Sequence, residues 1–467
     1  MRVVTVSLLC LLAATRSVLV AAADAPPNVV LILSDDQSWT DYGFMGHPDI
    51  RTPHLDRLAA ESAVFTNGYV PVALCRPSLA SIITGLPPRE HGITGNDVAL
   101  PAERPKGWSR ARDPAYLARS EALIAKIDAV PTLPRWLAAK GYRSHQSGKW
   151  WEGNFARGGF SAGMTHGDPA RGGRHGDDGL VIGREGLAPV LDFIDRCGDA
   201  PFLVWYAPFL PHTPHDPPER LLAKYRSAER PLALARYFAM CEWFDETCGQ
   251  LLAHLDTRGL TTRTLVIFVA DNGWIQRTRD TDVPDDWSES FAPRSKQSPH
   301  DGGVRTPILV RWPGHAEPRR HQALASSLDI APTVLAACGV TAPGTLRGVD
   351  LLGVAAGKVP GREALFGEQF AHDIADIADP EQSLIYRWCR TERWKFIRRY
   401  EGTIGRYGAV LRANEAYPQL YEIAADPHET RNLAASRPEV VAELTRRLDA
   451  EWKPAHGKPG DARSTAK

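Results

Sequence analysis

Two pairs of oxygen-bearing side chains each lie at the end of an apolar, strand-like run. Asp35 and Asp36 end the run VVLILSDD, and Asp271 and Asn272 follow residues 264–270. In an open parallel sheet, ligands collect outside the carboxyl ends of the strands, so these pairs can bring three carboxylates and an amide to one point. Hard oxygen ligands of this kind suit Ca²⁺ or Mg²⁺ better than zinc. An aspartate after a strand can also be a helix cap or a turn residue. Two such pairs make this alternative weaker but do not exclude it.

A cysteine is predicted at the start of a helix. Cys75 stands two residues before Pro77, a favourable first-turn residue, in the segment LCRPSLASIITG (residues 74–85). The partial positive charge at a helix N-terminus lowers the pKa of a thiol and favours a bound anion. The segment therefore indicates a reactive thiol beside an anion site, although a cysteine in this setting can also be a buried structural residue.

Short apolar runs alternate with helical patterns through most of the chain. We predict strands at residues 29–33, 63–69, 202–206 and 264–270, and helices at 53–61, after Pro77, and at 134–140, 188–196 and 233–255. This alternation predicts an α/β protein with a mainly parallel central sheet, and continuous apolar runs such as LVIFV suit strands that are buried on both faces.

The order of elements changes after Gly361. Residues 383–390 and 394–400 read as two strands, 419–422 as a third, and 438–452 as a helix. A run of strands followed by a helix predicts a small antiparallel sheet with one covering helix. We therefore expect a large domain at 24–360, a subdomain at 361–456 and a flexible tail at 457–467.

Two long stretches are predicted to be surface loops. Residues 158–183 are rich in glycine and histidine, and residues 275–299 are polar and rich in proline and serine. Loops of this length inside a compact domain are usually functional. Both are candidates for the rim of a site.

Charge and composition exclude several classes of protein. The 467 residues include 55 Lys and Arg against 55 Asp and Glu, with no long run of like charges, which argues against a nucleic-acid partner and a polybasic membrane anchor. Apart from Cys75 and Cys10, five cysteines remain, so at most two disulfides can form and the fold must depend on its hydrophobic core.

The first 23 residues have the pattern of a secretory signal. Arg2 precedes an apolar stretch at 3–14, and small alanines stand just before Asp24. Polar residues at 15–17 interrupt the apolar stretch before the ~20 residues that a membrane span needs. We therefore expect cleavage near Ala23, export to the periplasm or outside the cell, and no membrane span.

An ordered set of motifs resembles the sulfatase family of the alkaline-phosphatase-like superfamily. In the order of that family, over about residues 28–433, the motifs are VVLILSDD (29–36), TPHLDRLAAES (52–62), CRPSLASIITG (75–85), GKW (148–150), PHTP (211–214), VADNG (269–273), Lys296 with DGGVRTP (301–307), and LYEIAADPHETRNL (420–433). Each motif alone is weak, but their order makes the resemblance specific. It implies an alkaline-phosphatase-like sandwich: a large, mainly parallel sheet between helices in a catalytic domain, and a small C-terminal antiparallel sheet with one helix.

The resemblance also implies roles for individual residues. In sulfatases the cysteine at the position of Cys75 is oxidised to formylglycine, whose hydrated aldehyde supplies the nucleophilic oxygen. Sulfatases also bind a divalent cation, usually calcium. Its ligands match Asp35, Asp36, Asp271 and Asn272, together with residue 75. The residues that match groups gripping the sulfate and assisting the leaving group are Lys149, His212 and Lys296. Such cations stabilise developing negative charge, and a histidine can protonate the departing oxygen. His215 is the alternative to His212.

The implied partners are a formylglycine-generating enzyme and a sulfated small molecule or glycan. The main hypothesis is thus a sulfuric ester hydrolase, arylsulfatase-like, acting on a sulfated carbohydrate or an aryl sulfate. One alternative is a protein that binds sulfated glycans without turnover. The other is a phosphate-ester hydrolase of the same superfamily, whose members normally use a threonine or serine nucleophile and two zinc ions.

The sequence departs from the family at two positions. Leu79 stands where the motif Cys-x-Pro-Ser-Arg has its arginine, and Trp151 stands where Gly-Lys-Trp-His has its histidine. In sulfatases both missing residues support the formylglycine hydroxyl. Either another donor compensates, with Arg76, His166 and His175 as the candidates, or Cys75 stays a thiol.

Overall fold

The computed structural model describes residues 26–411 and 415–455. The predicted signal sequence at 1–23 and the predicted tail at 457–467 lie outside these ranges. The strands are β1 (Asn28–Ser34), β2 (Ala63–Tyr69), β3 (Asp97–Val98), β4 (Arg143–Gly148), β5 (Ala162–Gly163), β6 (Phe202–Ala207), β7 (Thr264–Ala270), β8 (Ile308–Arg311), β9 (Arg319–Ser326), β10 (Ala364–Phe370), β11 (Asp373–Ile374), β12 (Leu384–Thr391), β13 (Trp394–Arg399) and β14 (Gln419–Glu422).

The α-helices vary widely in length, from single turns to one of 26 residues. They are α1 (Pro53–Ala60), α2 (Cys75–Thr84), α3 (Pro88–His91), α4 (Pro114–Ile124), α5 (Leu133–Ala138), α6 (Ala188–Cys197), α7 (Glu219–Tyr225), α8 (Leu232–Thr257), α9 (Asp301–Val304), α10 (Ile330–Ala337), α11 (Leu351–Ala355), α12 (Gly408–Leu411) and α13 (Pro438–Glu451). In the described part of the chain, no helix is long and apolar enough to cross a membrane.

The large sheet has eight strands in the order β5-β4-β6-β1-β7-β8-β2-β9. All neighbours are parallel except β8, which runs against both β7 and β2. The strand β1 is buried on both faces: Val29 and Leu31 pack with side chains of α2, α5 and α10, whereas Val30 and Ile32 pack with those of α1, α6 and α8. This layering of helix, sheet and helix confirms the predicted fold class.

The small sheet has the order β10-β12-β13-β14 and is antiparallel throughout. Helix α13 covers it, with Leu444 and Leu448 packed on Cys389, Phe396 and Leu420. The predicted strands and covering helix of this part are therefore confirmed. The domain boundary near residue 360 stays a prediction.

The prediction of two plain surface loops is wrong in part. Within 158–183, strand β5 pairs with β4 and extends the edge of the large sheet, because Ala162 lies in register with His145. Within 275–299, residues 295–298 are buried, and the amide of Gln297 donates to the carbonyl of Ala73 at 2.8 Å.

All six described cysteines are free and buried. The described fold therefore rests on hydrophobic packing, as the cysteine count predicts. The eight-stranded sheet supplies most of that packing through clusters on its two faces, which include side chains of β1, β6 and β7.

Candidate active site

The two strand-end pairs meet at one edge of the sheet. Strands β1 and β7 are parallel neighbours with Ser34 in register with Ala270, so both chains leave the sheet side by side. The Asp36 amide donates to Asp271 Oδ1 at 3.1 Å, and Asn272 Nδ2 donates to Asp36 Oδ1 at 2.6 Å. All four predicted ligands are buried. The structure thus brings together the residues that the sequence pairs at two separate strand ends.

Three oxygens of this cluster are buried without a hydrogen-bond partner: Asp35 Oδ2, Asp271 Oδ2 and Asn272 Oδ1. Leaving a buried acceptor unpaired costs about 1–3 kcal/mol. Burial raises the pKa of Asp35 well above its usual range and also raises that of Asp271, with neighbouring carboxylates adding to both shifts. Three orphaned oxygens among crowded carboxylates are a donor set that a hard divalent cation fits.

Cys75 is the first residue of α2 and lies against this cluster. Its Sγ is 3.9 Å from Asp35 Oδ1 and 3.9 Å from Asp36 Oδ1. Burial raises the pKa of the thiol, although Lys149 and Lys296 oppose the shift. The lowered thiol pKa expected from the helix N-terminus is therefore wrong for the unmodified side chain, because desolvation outweighs the helix dipole and the two ammonium groups.

Two lysines contact two neighbouring carboxylates of the cluster. Lys149 Nζ is 2.7 Å from Asp35 Oδ1, and Lys296 Nζ is 2.6 Å from Asp36 Oδ2. Burial pulls both lysine pKa values down, but the carboxylates and Cys75 outweigh it and both are raised. Both lysines are therefore buried cations rather than solvated surface charges.

A glycine makes the position of Lys149 possible. Gly148 ends β4 with φ +78°, and a Cβ there would lie 1.8 Å from the carbonyl oxygen of Ala207. Any side chain would push β4 away from β6 at this point. The close approach lets the Lys149 amide donate to the same carbonyl at 2.7 Å, which aims the lysine into the site.

His212, rather than His215, joins the cluster. His212 Nε2 is 3.2 Å from Asp36 Oδ2 and 3.4 Å from Lys296 Nζ, while Nδ1 is 2.6 Å from the carbonyl oxygen of Thr213. Burial and then the two lysines lower the pKa of His212 well below its usual value. Its Nδ1–H therefore donates to Thr213, which leaves Nε2 turned toward the site. His215 instead packs between the rings of Tyr237 and Trp274.

A cavity of about 220 Å³ opens beside this cluster. It is lined by Cys75, Asn96, Lys149, Trp151, Arg174, His175, His212, Thr213, Trp274, Glu289, Ser290, Phe291, Lys296, Gln297, His372, Arg406 and Tyr407. Both stretches predicted as rim loops contribute to it, with Arg174 and His175 from one and residues 289–291, 296 and 297 from the other. Sequence reasoning missed Asn96, His372 and Arg406, which come from distant segments with no motif of their own.

The three candidates for a compensating donor lie in different places. Arg76 is held by Glu152 through bonds of 2.8 and 2.7 Å and faces another cavity. His166 is 3.4 Å from an oxygen of Asp177 and is not among the residues that line the site. His175 does line it, so this residue is the candidate that the geometry supports.

Two family models match the chain. The model described as Sulfatase matches residues 27–340, and the model described as N-sulphoglucosamine sulphohydrolase, C-terminal, matches residues 295–453. The chain is also 30% identical over 486 residues to arylsulfatase A of Homo sapiens, covering 92% of this chain and 90% of that protein. The chain belongs to the sulfatase family, and the enzyme class predicted from the sequence is confirmed.

Solved structures share the fold. A Bacteroides thetaiotaomicron protein described in terms of glycosaminoglycan metabolism superposes with a TM-score of 0.67 at 22% identity, covering 91% of this chain and 99% of that one. A phosphonate monoester hydrolase of Agrobacterium radiobacter superposes with a TM-score of 0.63 at 21% identity, covering 91% and 96%. The fold is therefore shared by proteins with different descriptions, and the site must define the chemistry.

Proposed function

We propose that the protein hydrolyses sulfuric esters, with a sulfated carbohydrate or an aryl sulfate as its substrate. The observation that carries this proposal is the setting of Cys75, where two buried ammonium groups and a histidine line one cavity beside three unpartnered oxygens. A sulfate ester is an anion, and donors placed where its charge grows usually supply the largest part of catalysis.

The proposed site also needs a bound metal ion and a modified Cys75. Asp35, Asp36, Asp271 and Asn272, with the modified residue 75, would hold Ca²⁺ or alternatively Mg²⁺, which when bound stabilises negative charge on the substrate. A formylglycine-generating enzyme would convert Cys75 into formylglycine, whose hydrate supplies a nucleophilic oxygen. Export with removal of residues 1–23 is part of the same proposal.

The protein's own side chains have separate tasks in this proposal. In this structure Lys149 and Lys296 contact carboxylates of the cluster. With a cation bound to those carboxylates, the two ammonium groups would be available to bind the oxygens of the ester. His212 is oriented by its bond to the Thr213 carbonyl, so that Nε2 can hold a proton for the departing oxygen. A bound anion would raise the pKa of this imidazole and so favour its protonated form.

Sulfate release tests the proposed reaction. We expect matured protein to release sulfate from nitrophenyl sulfate, and Cys75→Ala to abolish that release because it removes the nucleophile. Nitrophenyl phosphate, measured in parallel, tests the alternative that the protein is a phosphate-ester hydrolase. Faster turnover of the phosphate than of the sulfate would contradict the proposal.

The role of His212 has a signature in the leaving group. We expect His212→Gln to lower turnover of a sugar sulfate by about 10²-fold, because a sugar alkoxide must be protonated as it leaves. Nitrophenolate leaves without a proton, so the same variant should lose far less activity on nitrophenyl sulfate. His215→Gln, a neighbouring histidine outside the cavity, is the matched control. Equal losses on both substrates would rule out proton donation by His212.

A further inference from the structure

Two arginines form a second cationic feature in the cavity, apart from the lysines near Cys75. Arg174 comes from the segment between β5 and α6, and Arg406 comes from the segment between β13 and α12. Both line the same cavity as Cys75. We call them the outer arginine pair.

Two buried aspartates hold the outer arginine pair in place. Asp97 Oδ2 accepts from Nη2 of Arg174 at 2.6 Å and from Nη2 of Arg406 at 3.0 Å. Asp373, in register with Asp97 in the β3–β11 ladder, accepts from Nη2 and Nε of Arg406 at 2.7 and 2.5 Å. None of these bonds uses an Nη1 atom. Arg174 Nε also donates to Asp97 Oδ1 at 3.1 Å, so Nε and Nη2 atoms hold both arginines and the two Nη1 atoms lie outside this network.

The aspartates that hold the pair are charged. Burial acts to raise the pKa of Asp97, but Arg174 and neighbouring cations outweigh it, so the pKa is lowered and the carboxylate stays charged. Arg110 also contacts Asp97, at 3.4 Å, but lines a different cavity, whereas Glu289 lines the same cavity as the pair. The side chains of Arg174 and Arg406 are 39% and 32% exposed and both line the cavity, although Arg174 also lines the neighbouring cavity that contains Arg110. The pair therefore offers guanidinium donors to a ligand in the cavity rather than an excess of positive charge.

The pair explains one of the two departures from the family. The guanidinium of Arg174 lies over the buried ring of Trp151, 4.6 Å from its centroid. A cation stacked on an indole face is stabilised and oriented there. Trp151 stands where the family has its histidine, so the substitution exchanges a side chain that supports the nucleophile for one that supports Arg174.

We infer that the substrate carries a second anionic group, a carboxylate or a second sulfate, which binds to the outer arginine pair while the reacting sulfate lies among Lys149, His212 and Lys296. This inference rests on the proposed function, since it assumes that a sulfate ester occupies the inner end of the cavity. Guanidinium groups suit this role because their planar donors match the oxygens of such anions. A sugar with one sulfate and no other charge would leave the outer arginine pair unused.

Binding to the Cys75→Ala protein tests the inference without turnover. The probes, measured by calorimetry, are a galactose monosulfate, a galactose disulfate and a sulfated galacturonic acid. We expect a dianionic probe to bind at least about tenfold more tightly than the monosulfate. Arg174→Gln and Arg406→Gln should each remove that advantage and leave the affinity for the monosulfate within about twofold. A preference for the uronic acid would identify a carboxylate, and a preference for the disulfate would identify a second sulfate.

Arg110→Gln is the matched control, because Arg110 contacts the same Asp97 but lines a different cavity. It should leave all three affinities unchanged. Arg174→Lys keeps the charge without the planar donors, and a thermal melt identifies any variant that fails to fold. Equal affinity of the Cys75→Ala protein, without an arginine substitution, for all three probes would overturn the inference. The inference would also be overturned if Arg174→Gln and Arg406→Gln lowered the affinity for all three probes equally. Failure of sulfate release in the unsubstituted enzyme would instead count against the proposed function alone.

Discussion

Lys296→Ala and Lys149→Ala are each expected to lower kcat/KM for nitrophenyl sulfate by at least ~10²-fold, the scale seen when one charge-stabilising donor is removed. Both ammonium groups are buried and lie within 2.7 Å of the carboxylates that border Cys75. In a site of low dielectric, their charge acts strongly on an anion whose negative charge is growing. Steady-state kinetics on protein of equal formylglycine content gives the measurement.

Stability must be separated from catalysis in these two variants. Breaking a buried ion pair by removing one partner costs roughly 3–5 kcal/mol, because the other charge stays buried and unpaired. Thermal melts in the presence of Ca²⁺ show whether each variant is folded under assay conditions. Lys140→Ala, at an exposed position, controls for the loss of a lysine in general. A folded Lys296→Ala enzyme with activity within twofold of the parent would show that this lysine does not stabilise the transition state.

Calcium is expected to stabilise the folded protein, by about 2.7 kcal/mol when its concentration is about 100 times Kd. The reason is the set of three unpartnered oxygens on Asp35, Asp271 and Asn272. Three carboxylates there face two ammonium groups, so a divalent cation turns a net negative cluster into a net positive one. Unfolding followed at several concentrations of Ca²⁺, and separately of Mg²⁺, measures the effect.

The ligand assignment has its own controls. Asp271→Asn and Asn272→Ala should lose most of the stabilisation by calcium, since each removes an oxygen or a charge from the cluster. Asp199→Asn makes the same chemical change at an exposed position and should keep the full effect. If Asp271→Asn binds Ca²⁺ with the affinity of the parent protein, the cation is bound elsewhere.

Local signals in the sequence predicted that Asp35, Asp36, Asp271 and Asn272 meet, whereas Lys149, His212 and Lys296 came only from the resemblance to the sulfatase family. The apolar runs before Asp36 and Asp271 marked two buried strands, and the parallel-sheet rule placed their ends at one edge. The same reasoning could not say that β1 and β7 are direct neighbours, nor that β8 runs antiparallel between β7 and β2. Those facts depend on packing between segments far apart in the chain.

The outer part of the cavity was beyond sequence reasoning for the same physical cause. Arg174 and Arg406 are more than two hundred positions apart and meet only because β3 pairs with β11 and brings Asp97 beside Asp373. The pKa of Cys75 shows a second limit: a helix start can be read from the sequence, but the desolvation that reverses its effect cannot.

In the proposed function sulfate release depends on converted Cys75, and one measurement tests this dependence most directly. Protein is made with increasing amounts of a formylglycine-generating enzyme, and each sample is measured for the converted fraction of the Cys75 peptide by mass spectrometry and for sulfate released from nitrophenyl sulfate. The proposal predicts that turnover rises in proportion to the converted fraction and vanishes when every Cys75 is a thiol. Turnover by protein with an unconverted thiol, or fully converted protein that releases no sulfate from any ester, would contradict it.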